Sequence, residues 1–289
     1  MSIPESDLII NPDGSIYHLN LLPEDVADTI ITVGDPDRVA EVSKHFDKIE
    51  LKKGKREFMT HTGLLGSKRI TVLSTGIGTD NIDIVLNELD ALVNIDFHTR
   101  EIKKSLKSLN IIRIGTSGAV QDDIPLGSII ASSFGLGMDA LMNYYQSQNT
   151  IGEIDILVKI NKHFNGFAKL NPYITAGSEH LLSTIGKNLT HGITVTAPGF
   201  YGPQGRKLRA HNSIDNLIER ITSFNHNGTR ITNLEMETAG IYALSNILGH
   251  QAISINAILA SRTKLAFAKE PQKIIDKAIK LVLERSLIL

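Results

Sequence analysis

The chain has 289 residues, 42% of them hydrophobic, and a formal net charge of -1. This size and apolar content can support one large core, and we predict a single domain over residues 1–289. A near-neutral chain lacks the basic excess that nucleic-acid-binding proteins usually carry. The absence of cysteine excludes disulfides, a thiolate nucleophile and thiolate metal sites. The first residues form no basic and apolar leader, and no run of about 18 apolar residues occurs, so we expect a cytoplasmic protein with no membrane or nucleic-acid partner.

Short apolar runs followed by glycine turns alternate with segments of helical periodicity, which predicts an α/β fold with buried strands. The predicted strands cover residues 29–33, 70–74, 110–114, 128–132, 193–196 and 252–259. Helices are predicted at residues 80–93, 237–248 and 270–287. The first and last of these helices carry an apolar stripe that should cover the sheet. Gly249 suits the left-handed residue that ends the middle helix, and Pro271 suits the first turn of the last helix.

The first predicted strand leads into a glycine turn and a helix that begins with proline. Gly34 and Pro36 form this turn, and Arg38 lies in the first helical turns. Backbone N–H groups, the positive end of the helix and the guanidinium can together bind an oxyanion. An ordinary strand, turn and helix with an exposed arginine explains the same residues, and the segment alone leaves both interpretations open.

The turn after the second predicted strand can be compared with two common nucleotide-binding motifs. Gly76 and Gly78 precede a predicted helix, but the third glycine of the dinucleotide fingerprint is missing, and no Gly-x-x-x-x-Gly-Lys-Ser/Thr sequence occurs. The histidines show no metal-binding spacing, and no Gly-x-Ser-x-Gly elbow is present. We therefore expect no redox cofactor, no P-loop, no metal site and no serine-hydrolase site.

Arg113 interrupts an otherwise apolar predicted strand. Burying an unpaired arginine is disfavoured by several kcal/mol, so this side chain must meet a carboxylate, reach solvent or receive an anionic ligand. Thr116 and Ser117 add hydroxyl donors in a predicted glycine turn at the end of the strand, where open α/β sheets tend to bind ligands. These donors favour a phosphate, with a structural ion pair as the alternative.

The segment from Phe200 to Arg206 sets an aromatic ring, a carboxamide and a guanidinium around a Pro/Gly turn. Gln204 can donate and accept hydrogen bonds at once, and Arg206 presents a rigid fork of donors. These groups would match the edge of a uracil, on which an N–H lies between two carbonyls. A surface turn is the competing interpretation of this segment.

Two carboxylates, Glu235 and Glu237, stand at a predicted junction of strand and helix. An ionised carboxylate can only accept hydrogen bonds, so such a pair can bind the adjacent hydroxyl groups of a sugar. Favourable acidic charge at the amino end of the following helix explains the same residues equally well.

Six short segments follow one another along the chain in a fixed order. They are His18-Leu19-Asn20-Leu21, Gly34-Asp35-Pro36-Asp37-Arg38, Arg56-Glu57-Phe58, Ser74-Thr75-Gly76-Ile77-Gly78, Arg113-Ile114-Gly115-Thr116-Ser117-Gly118-Ala119 and Glu235-Met236-Glu237. In this order they resemble the nucleoside phosphorylases of the type that includes uridine phosphorylase and the bacterial purine nucleoside phosphorylases. The resemblance spans most of the chain and implies the fold of that family, a single α/β domain whose central mixed, partly barrel-like β-sheet is flanked by helices.

The resemblance also implies roles for individual residues. Phosphate would be bound by Gly34, Arg38, Arg113 and Thr116, with Arg56 reaching it from a neighbouring subunit. Ribose would be bound by Met236 and Glu237, with His18 of the neighbour over the 5′-hydroxyl. The base would be contacted by Phe200, Gln204, Arg206 and Arg262, of which the glutamine and Arg206 match the uridine phosphorylase pattern. Arg206, Gln204 and Arg113 would carry the catalysis.

The family requires inorganic phosphate as co-substrate and no organic cofactor, and its active site requires at least a dimer, with a hexamer built as a trimer of dimers as the larger assembly. A structural potassium site of the family involves the position of Glu57, but Asn81 stands here where serine is frequent. Ser261 stands where purine-specific relatives commonly have an aspartate and uridine phosphorylases an asparagine. The connection at 94–110 is longer than usual and bears on subunit packing.

By this resemblance the reaction is the reversible phosphorolysis of uridine to uracil and ribose 1-phosphate, a step of pyrimidine salvage. Phosphate would attack the anomeric carbon, and Gln204 and Arg206 would stabilise the departing base. A purine nucleoside phosphorylase and a nucleosidase of the same family remain alternatives. A non-catalytic nucleoside-binding protein is the alternative from another class.

Overall fold

A computed structural model of the protein describes residues 2–164 and 171–289. Its α-helices are α1 (Pro36–Ser43), α2 (Thr79–Asn94), α3 (Ile151–His163), α4 (Glu179–Thr184), α5 (Leu217–Ser223), α6 (Thr238–Leu248) and α7 (Pro271–Ser286). Its strands are β1 (Thr29–Val33), β2 (Lys48–Lys55), β3 (Phe58–Leu65), β4 (Lys68–Ser74), β5 (Ile95–Asp96), β6 (Glu101–Ile102), β7 (Asn110–Ala119), β8 (Ile129–Gly137), β9 (Tyr173–Ala176), β10 (Thr190–Thr196), β11 (Asn225–His226), β12 (Thr229–Glu235), β13 (Gln251–Ser261) and β14 (Ala266–Phe267).

The strands other than β5 and β6 form one mixed sheet. Its main path runs β11-β12-β10-β8-β13-β7-β1-β4-β3-β2. A further pairing between β12 and β7 closes β7, β13, β8, β10 and β12 into a barrel, from which β1, β4, β3 and β2 continue as an open sheet. The prediction of an α/β fold with a mixed, partly barrel-like sheet is confirmed.

Strand β1 has the bounds that its apolar run predicts, and all its residues are buried. The burial follows from its position between two parallel neighbours, β4 and β7. Strands β7 and β8 run on to Ala119 and Gly137, beyond their predicted ends. The prediction that Thr116 and Ser117 lie in a turn is therefore wrong, because these residues continue the ladder of β7 against β13.

The three predicted helices are present within a residue of their predicted ends. Gly249 ends α6 with φ 78°, the left-handed conformation expected of it, and Pro271 begins α7. Helices α2 and α6 pack on one face of the open sheet around Ile30, while α1, α4 and α7 pack on the other face around Ile31. Neighbouring residues of a strand point to opposite faces, which is why one strand supports both layers.

The parallel strands β1 and β4 end at the same edge of the sheet, level with Arg113 of β7, which continues to Ala119. Thr32 of β1 is in register with Leu73 of β4 and with Arg113 of β7. The turns that follow β1 and β4 therefore lie beside the side chain of Arg113, as ligand-binding loops do in open α/β sheets.

Nowhere in residues 2–164 or 171–289 is a helix both long and apolar enough to cross a membrane. A search of the same two ranges for three or more His, Asp or Glu side chains placed to hold a metal ion finds none.

Candidate active site

A cavity of about 710 Å³ opens at this edge of the sheet. Nine of the residues with a predicted site role line it: Gly34, Arg38, Arg113, Thr116, Phe200, Gln204, Arg206, Met236 and Glu237. They come from the turn after β1, from β7, from the 200–206 segment and from the junction of β12 and α6. The fold thus gathers into one concave surface residues that are up to two hundred positions apart in the chain.

Arg113 is buried at the cavity wall and pairs with two carboxylates. Its Nη2 lies 2.5 Å from Oε2 of Glu237 and 3.0 Å from Oε2 of Glu235. Burial by itself would lower the pKa of Arg113, but the two carboxylates outweigh burial and raise the pKa. The ion pair that the sequence left as an alternative is therefore formed, and the same guanidinium also faces the cavity.

Gly115 allows Arg113 to adopt this position. A Cβ atom on Gly115 would lie 1.5 Å from Nη1 of Arg113, well inside the closest approach of two heavy atoms. The guanidinium thus folds back over its own strand, and only glycine two residues later leaves room for it.

Glu235 and Glu237 are both buried but are bonded differently. The Glu235 carboxylate accepts from the backbone N–H groups of Glu237 and Thr238 at 2.9 to 3.1 Å and from the Thr196 hydroxyl at 2.7 Å. It thereby binds the first N–H groups of α6, which agrees with the helix-end interpretation of this residue. The sequence did not show that Glu235 and Glu237 have different hydrogen-bond partners, because both stand at the same predicted junction of strand and helix.

Glu237 is held at the cavity by one bond on each oxygen. Its Oε1 accepts from the N–H of Gly78 at 2.8 Å, and its Oε2 accepts from Arg113. Burial raises the pKa of Glu237, Arg113 opposes the shift, and the negative charge of Glu235 adds to it. Two lone-pair sites of the carboxylate are left for hydroxyl groups in the cavity.

Arg38 brings a second guanidinium to the same cavity. Burial lowers its pKa, Asp35 opposes this shift, and the positive charge of Arg113 adds to it. Within the two described ranges its side chain makes no hydrogen bond or ion pair, unlike the side chain of Arg113. Two like charges that face one cavity repel each other, and an anion between them removes that repulsion.

The 200–206 segment forms a connected unit rather than a loose turn. The Arg206 guanidinium lies 3.6 Å from the centre of the Phe200 ring, and its Nη1 donates to Oε1 of Gln204 at 2.6 Å. Gly205, with φ 68°, reverses the chain so that Gln204 and Arg206 meet. Burial and then the charge of Arg262 lower the pKa of Arg206 to about 10. The segment therefore presents hydrogen-bond donors beside an aromatic face.

Arg262 does not line the cavity, although a base contact was predicted for it. Its side chain crosses the backbone at Gly118, and its buried Nη1 finds no hydrogen-bond partner in the part of the chain described. It is near enough to lower the pKa of Arg206. Ser261, its neighbour, is buried, accepts from the backbone N–H of Lys264 at 3.2 Å and does not line the cavity either.

Glu57 and Asn81 lie at another part of the cavity wall. The amide nitrogen of Asn81 donates to the Glu57 carboxylate at 3.3 Å. A potassium ion needs oxygen ligands, and here an N–H donor already faces the one carboxylate that the resemblance offers. The potassium site of the resemblance stays a prediction.

His18 and Arg56 do not line the cavity of their own chain. Arg56 is exposed at the tip of the β2–β3 hairpin with φ 57°, and His18 lies in the turn before β1. The hairpin contacts the turn through Lys55, whose Nζ lies 4.3 Å from the centre of the Tyr17 ring. Residues 17, 18, 55 and 56, which we name the His18–Arg56 patch, thus form one surface outside the cavity.

The profile of the phosphorylase superfamily matches residues 28–287 of this chain. A uridine phosphorylase from Thermococcus kodakarensis is 28% identical over 283 residues, which cover 94% of this chain and 88% of that protein. A DeoD-type purine nucleoside phosphorylase from Buchnera aphidicola is 26% identical over 277 residues, covering 93% and 98%.

Among solved structures, a nucleoside phosphorylase from Trypanosoma brucei that shows uridine phosphorylase activity superposes with a TM-score of 0.90. It is 29% identical in sequence, and the match covers 98% of this chain and 100% of that one. The profile spans most of the chain, and the structural match spans nearly all of it. This chain belongs to the phosphorylase superfamily.

Proposed function

We propose that this protein is a uridine phosphorylase, a pentosyltransferase that acts in cytoplasmic pyrimidine salvage. It converts uridine and phosphate into uracil and ribose 1-phosphate, reversibly and without an organic cofactor. One observation carries the proposal: a single cavity joins two guanidiniums, a buried carboxylate and the Gln204–Arg206 pair. These are binding groups for an anion, a sugar and a polar base. The names of the relatives support the same reaction, and the superfamily includes both pyrimidine and purine enzymes.

Phosphate binds between Arg38 and Arg113, with Gly34 and Thr116 as further donors. One of its oxygens attacks the anomeric carbon of the ribose while the bond from that carbon to the base nitrogen breaks. The bonding electrons leave with the base. Positioning and charge complementarity supply the rate enhancement, since no covalent intermediate with the protein forms.

Glu237 holds the ribose by accepting from its hydroxyl groups, and Met236 packs on the sugar. Negative charge then develops on the departing uracil, where the Gln204 amide and the Arg206 guanidinium donate to it. The bond between Gln204 and Arg206 fixes both side chains before the substrate arrives. Such preorganisation avoids an ordering cost in the transition state.

The working form is at least a dimer, in which the His18–Arg56 patch of one subunit completes the cavity of another. Support comes from the position of both residues, which lie together on one surface and outside their own cavity. A C2 dimer would form two equivalent sites of this kind. A hexamer of three such dimers would use the same contact.

A panel of pyrimidine and purine nucleosides, assayed with and without inorganic phosphate, tests the proposal. We expect uridine to be cleaved only with phosphate and to yield ribose 1-phosphate. Preference for inosine or adenosine would assign the purine reaction instead. Equal cleavage without phosphate, with free ribose as product, would show a nucleosidase and refute the phosphate site. Binding of uridine without any cleavage would show a non-catalytic protein.

A further inference from the structure

The carboxylate of Glu88 is bonded entirely to one short turn. Glu88 lies on α2, and its oxygens accept from the backbone N–H of His18 at 3.0 and 3.1 Å and from that of Leu19 at 2.8 Å. The ring Nδ1 of His18 lies 2.7 Å from Oε1 of the same carboxylate. The Glu88 side chain is 13% exposed, so water competes little for these bonds. Neither the predicted phosphate, ribose and base contacts nor the proposed mechanism uses Glu88.

These contacts decide which nitrogen of the His18 ring carries the hydrogen. An ionised carboxylate can only accept, so the nitrogen that faces it, Nδ1, is the N–H. In the neutral ring Nε2 then keeps its lone pair and is an acceptor. His18 is 25% exposed, and Nε2 makes no hydrogen bond within residues 2–164 and 171–289. This acceptor is not among the buried polar atoms of the described residues, so a group from outside the chain can reach it.

The backbone around His18 is fixed as well. Leu19 is fully buried, and the turn closes with a bond from the N–H of Ile16 to the carbonyl of Leu21 at 2.9 Å. Two backbone N–H groups of the turn donate hydrogen bonds to the Glu88 carboxylate. The ring is thus held in place and in tautomer by one residue that lies 70 positions further along the chain.

We infer that Glu88 is a positioning residue that sets His18 to accept the 5′-hydroxyl of a nucleoside bound by a neighbouring copy of the chain. The inference rests on the proposed function, since it takes a nucleoside as the substrate. Glu88 does not touch the substrate itself. It orients the ring and leaves Nε2 as the acceptor, as a carboxylate orients the imidazole in other enzyme sites.

The test compares uridine with 5′-deoxyuridine, which lacks the hydroxyl group, in the wild type and in Glu88→Gln. The glutamine oxygen can still accept from the turn, but its amide N–H would face Nδ1 and move the ring hydrogen to Nε2. We expect kcat/KM for uridine to fall by about 3- to 10-fold, the effect of one weakened hydrogen bond, with little change for 5′-deoxyuridine. His18→Ala should also lower kcat/KM for uridine while changing that for 5′-deoxyuridine little. The double variant should lose no more kcat/KM for uridine than His18→Ala alone.

Glu284→Gln is the matched control, because it also replaces a glutamate by glutamine, at an exposed position of α7. It should leave kcat/KM unchanged for both nucleosides. An equal loss of both substrates in Glu88→Gln would show a general structural role and overturn the inference. No loss of either substrate would overturn it as well.

The tautomer can be read without any substrate, from nitrogen-15 spectra of the histidine rings with His18 assigned by its loss in His18→Ala. We expect the hydrogen on Nδ1 in the wild type and on Nε2 in Glu88→Gln. A wild-type ring with its hydrogen on Nε2 refutes the inference whatever the kinetics show. If the wild type cleaves neither nucleoside, the proposed function fails, and these spectra still decide whether Glu88 sets the ring.

Discussion

At the scale of single residues, neighbouring side chains with the same chemistry are used for different tasks. Both glutamates line the cavity, but Glu235 accepts from the backbone at the start of α6, whereas Glu237 accepts from the backbone N–H of Gly78. Arg113 is paired with both carboxylates, whereas Arg38 has no such partner in the described ranges. The anion site therefore combines one guanidinium held by two ion pairs with one that makes no ion pair in the described ranges.

Replacing Arg206 by alanine removes the donor proposed to stabilise the departing base. We expect turnover of uridine to fall by about 10²-fold or more, because such donors act mainly in the transition state. The KM for phosphate should stay nearly unchanged, since phosphate is assigned to Arg38 and Arg113 rather than to Arg206. Steady-state kinetics in both substrates check this, with Lys207→Ala as an exposed control. A matching loss of phosphate affinity would contradict the assignment of Arg206 to the base.

The fall of kcat/KM for uridine at acidic pH should depend on Glu235. Burial raises the pKa of Glu237, and the charge of Glu235 raises it further, so Glu237 is protonated at a higher pH than an ordinary glutamate. Only its ionised form can accept from two hydroxyl groups, so kcat/KM for uridine should fall as the pH drops through this raised pKa. Glu235→Gln removes the repelling charge and should move the fall to lower pH. If kcat/KM of Glu235→Gln falls at the same pH as in the wild type, or at a higher pH, the charge of Glu235 does not raise the pKa of Glu237.

At the scale of elements, glycines permit backbone conformations and close contacts that a side chain would prevent. Gly249 ends α6 in the left-handed region, and Gly115 makes room in β7 for the guanidinium of Arg113. The sequence predicted that Gly249 ends the helix, because a glycine directly after a helical segment is typical of a helix end. It could not predict the role of Gly115, because the space that this glycine leaves is filled by a side chain folded back along the strand.

Two glycines separate the effect of backbone conformation from that of crowding. Neither Gly249 nor Gly152 would place a new Cβ within 4 Å of another atom, but only Gly249 has a positive φ, of 78°. Gly249→Ala should lower the free energy of unfolding by about 1 kcal/mol, because alanine strains the left-handed residue. Gly152→Ala, inside α3, should raise it by up to about 1 kcal/mol. Urea denaturation measures both, and destabilisation of equal size would contradict the conformational explanation.

At the scale of the whole molecule, the cavity of one chain holds most of the proposed site but lacks the His18–Arg56 patch. That patch lies on the surface of the same chain and includes the tip of the β2–β3 hairpin, whose next residue, Glu57, lines the cavity. An isologous dimer would bring the patch of each copy to the other's cavity. The single domain over residues 1–289 stays a prediction.

Subunit complementation can show whether sites are shared. Arg113→Ala damages the cavity, and Arg56→Ala damages the patch, so each variant alone should be inactive or nearly so. Coexpression should restore about one quarter of wild-type activity, because half of randomly formed dimers are hybrids and one of the two sites in a hybrid is intact. Coexpression of Arg113→Ala with Arg38→Ala, two cavity variants, is the control and should restore nothing. Failure of the first pair to complement would mean that Arg56 acts within its own chain or not at all.

The sequence by itself determined what local pattern can encode. An unbroken apolar run predicted β1, apolar stripes predicted α2 and α7, and the order of six short segments predicted the family. Only the tertiary structure decided that Arg113 pairs with both carboxylates, that Arg262 stays off the cavity wall and that Glu88 holds His18. The physical reason is that these contacts join residues far apart in the chain, and their geometry depends on strand order and register, which no local pattern specifies.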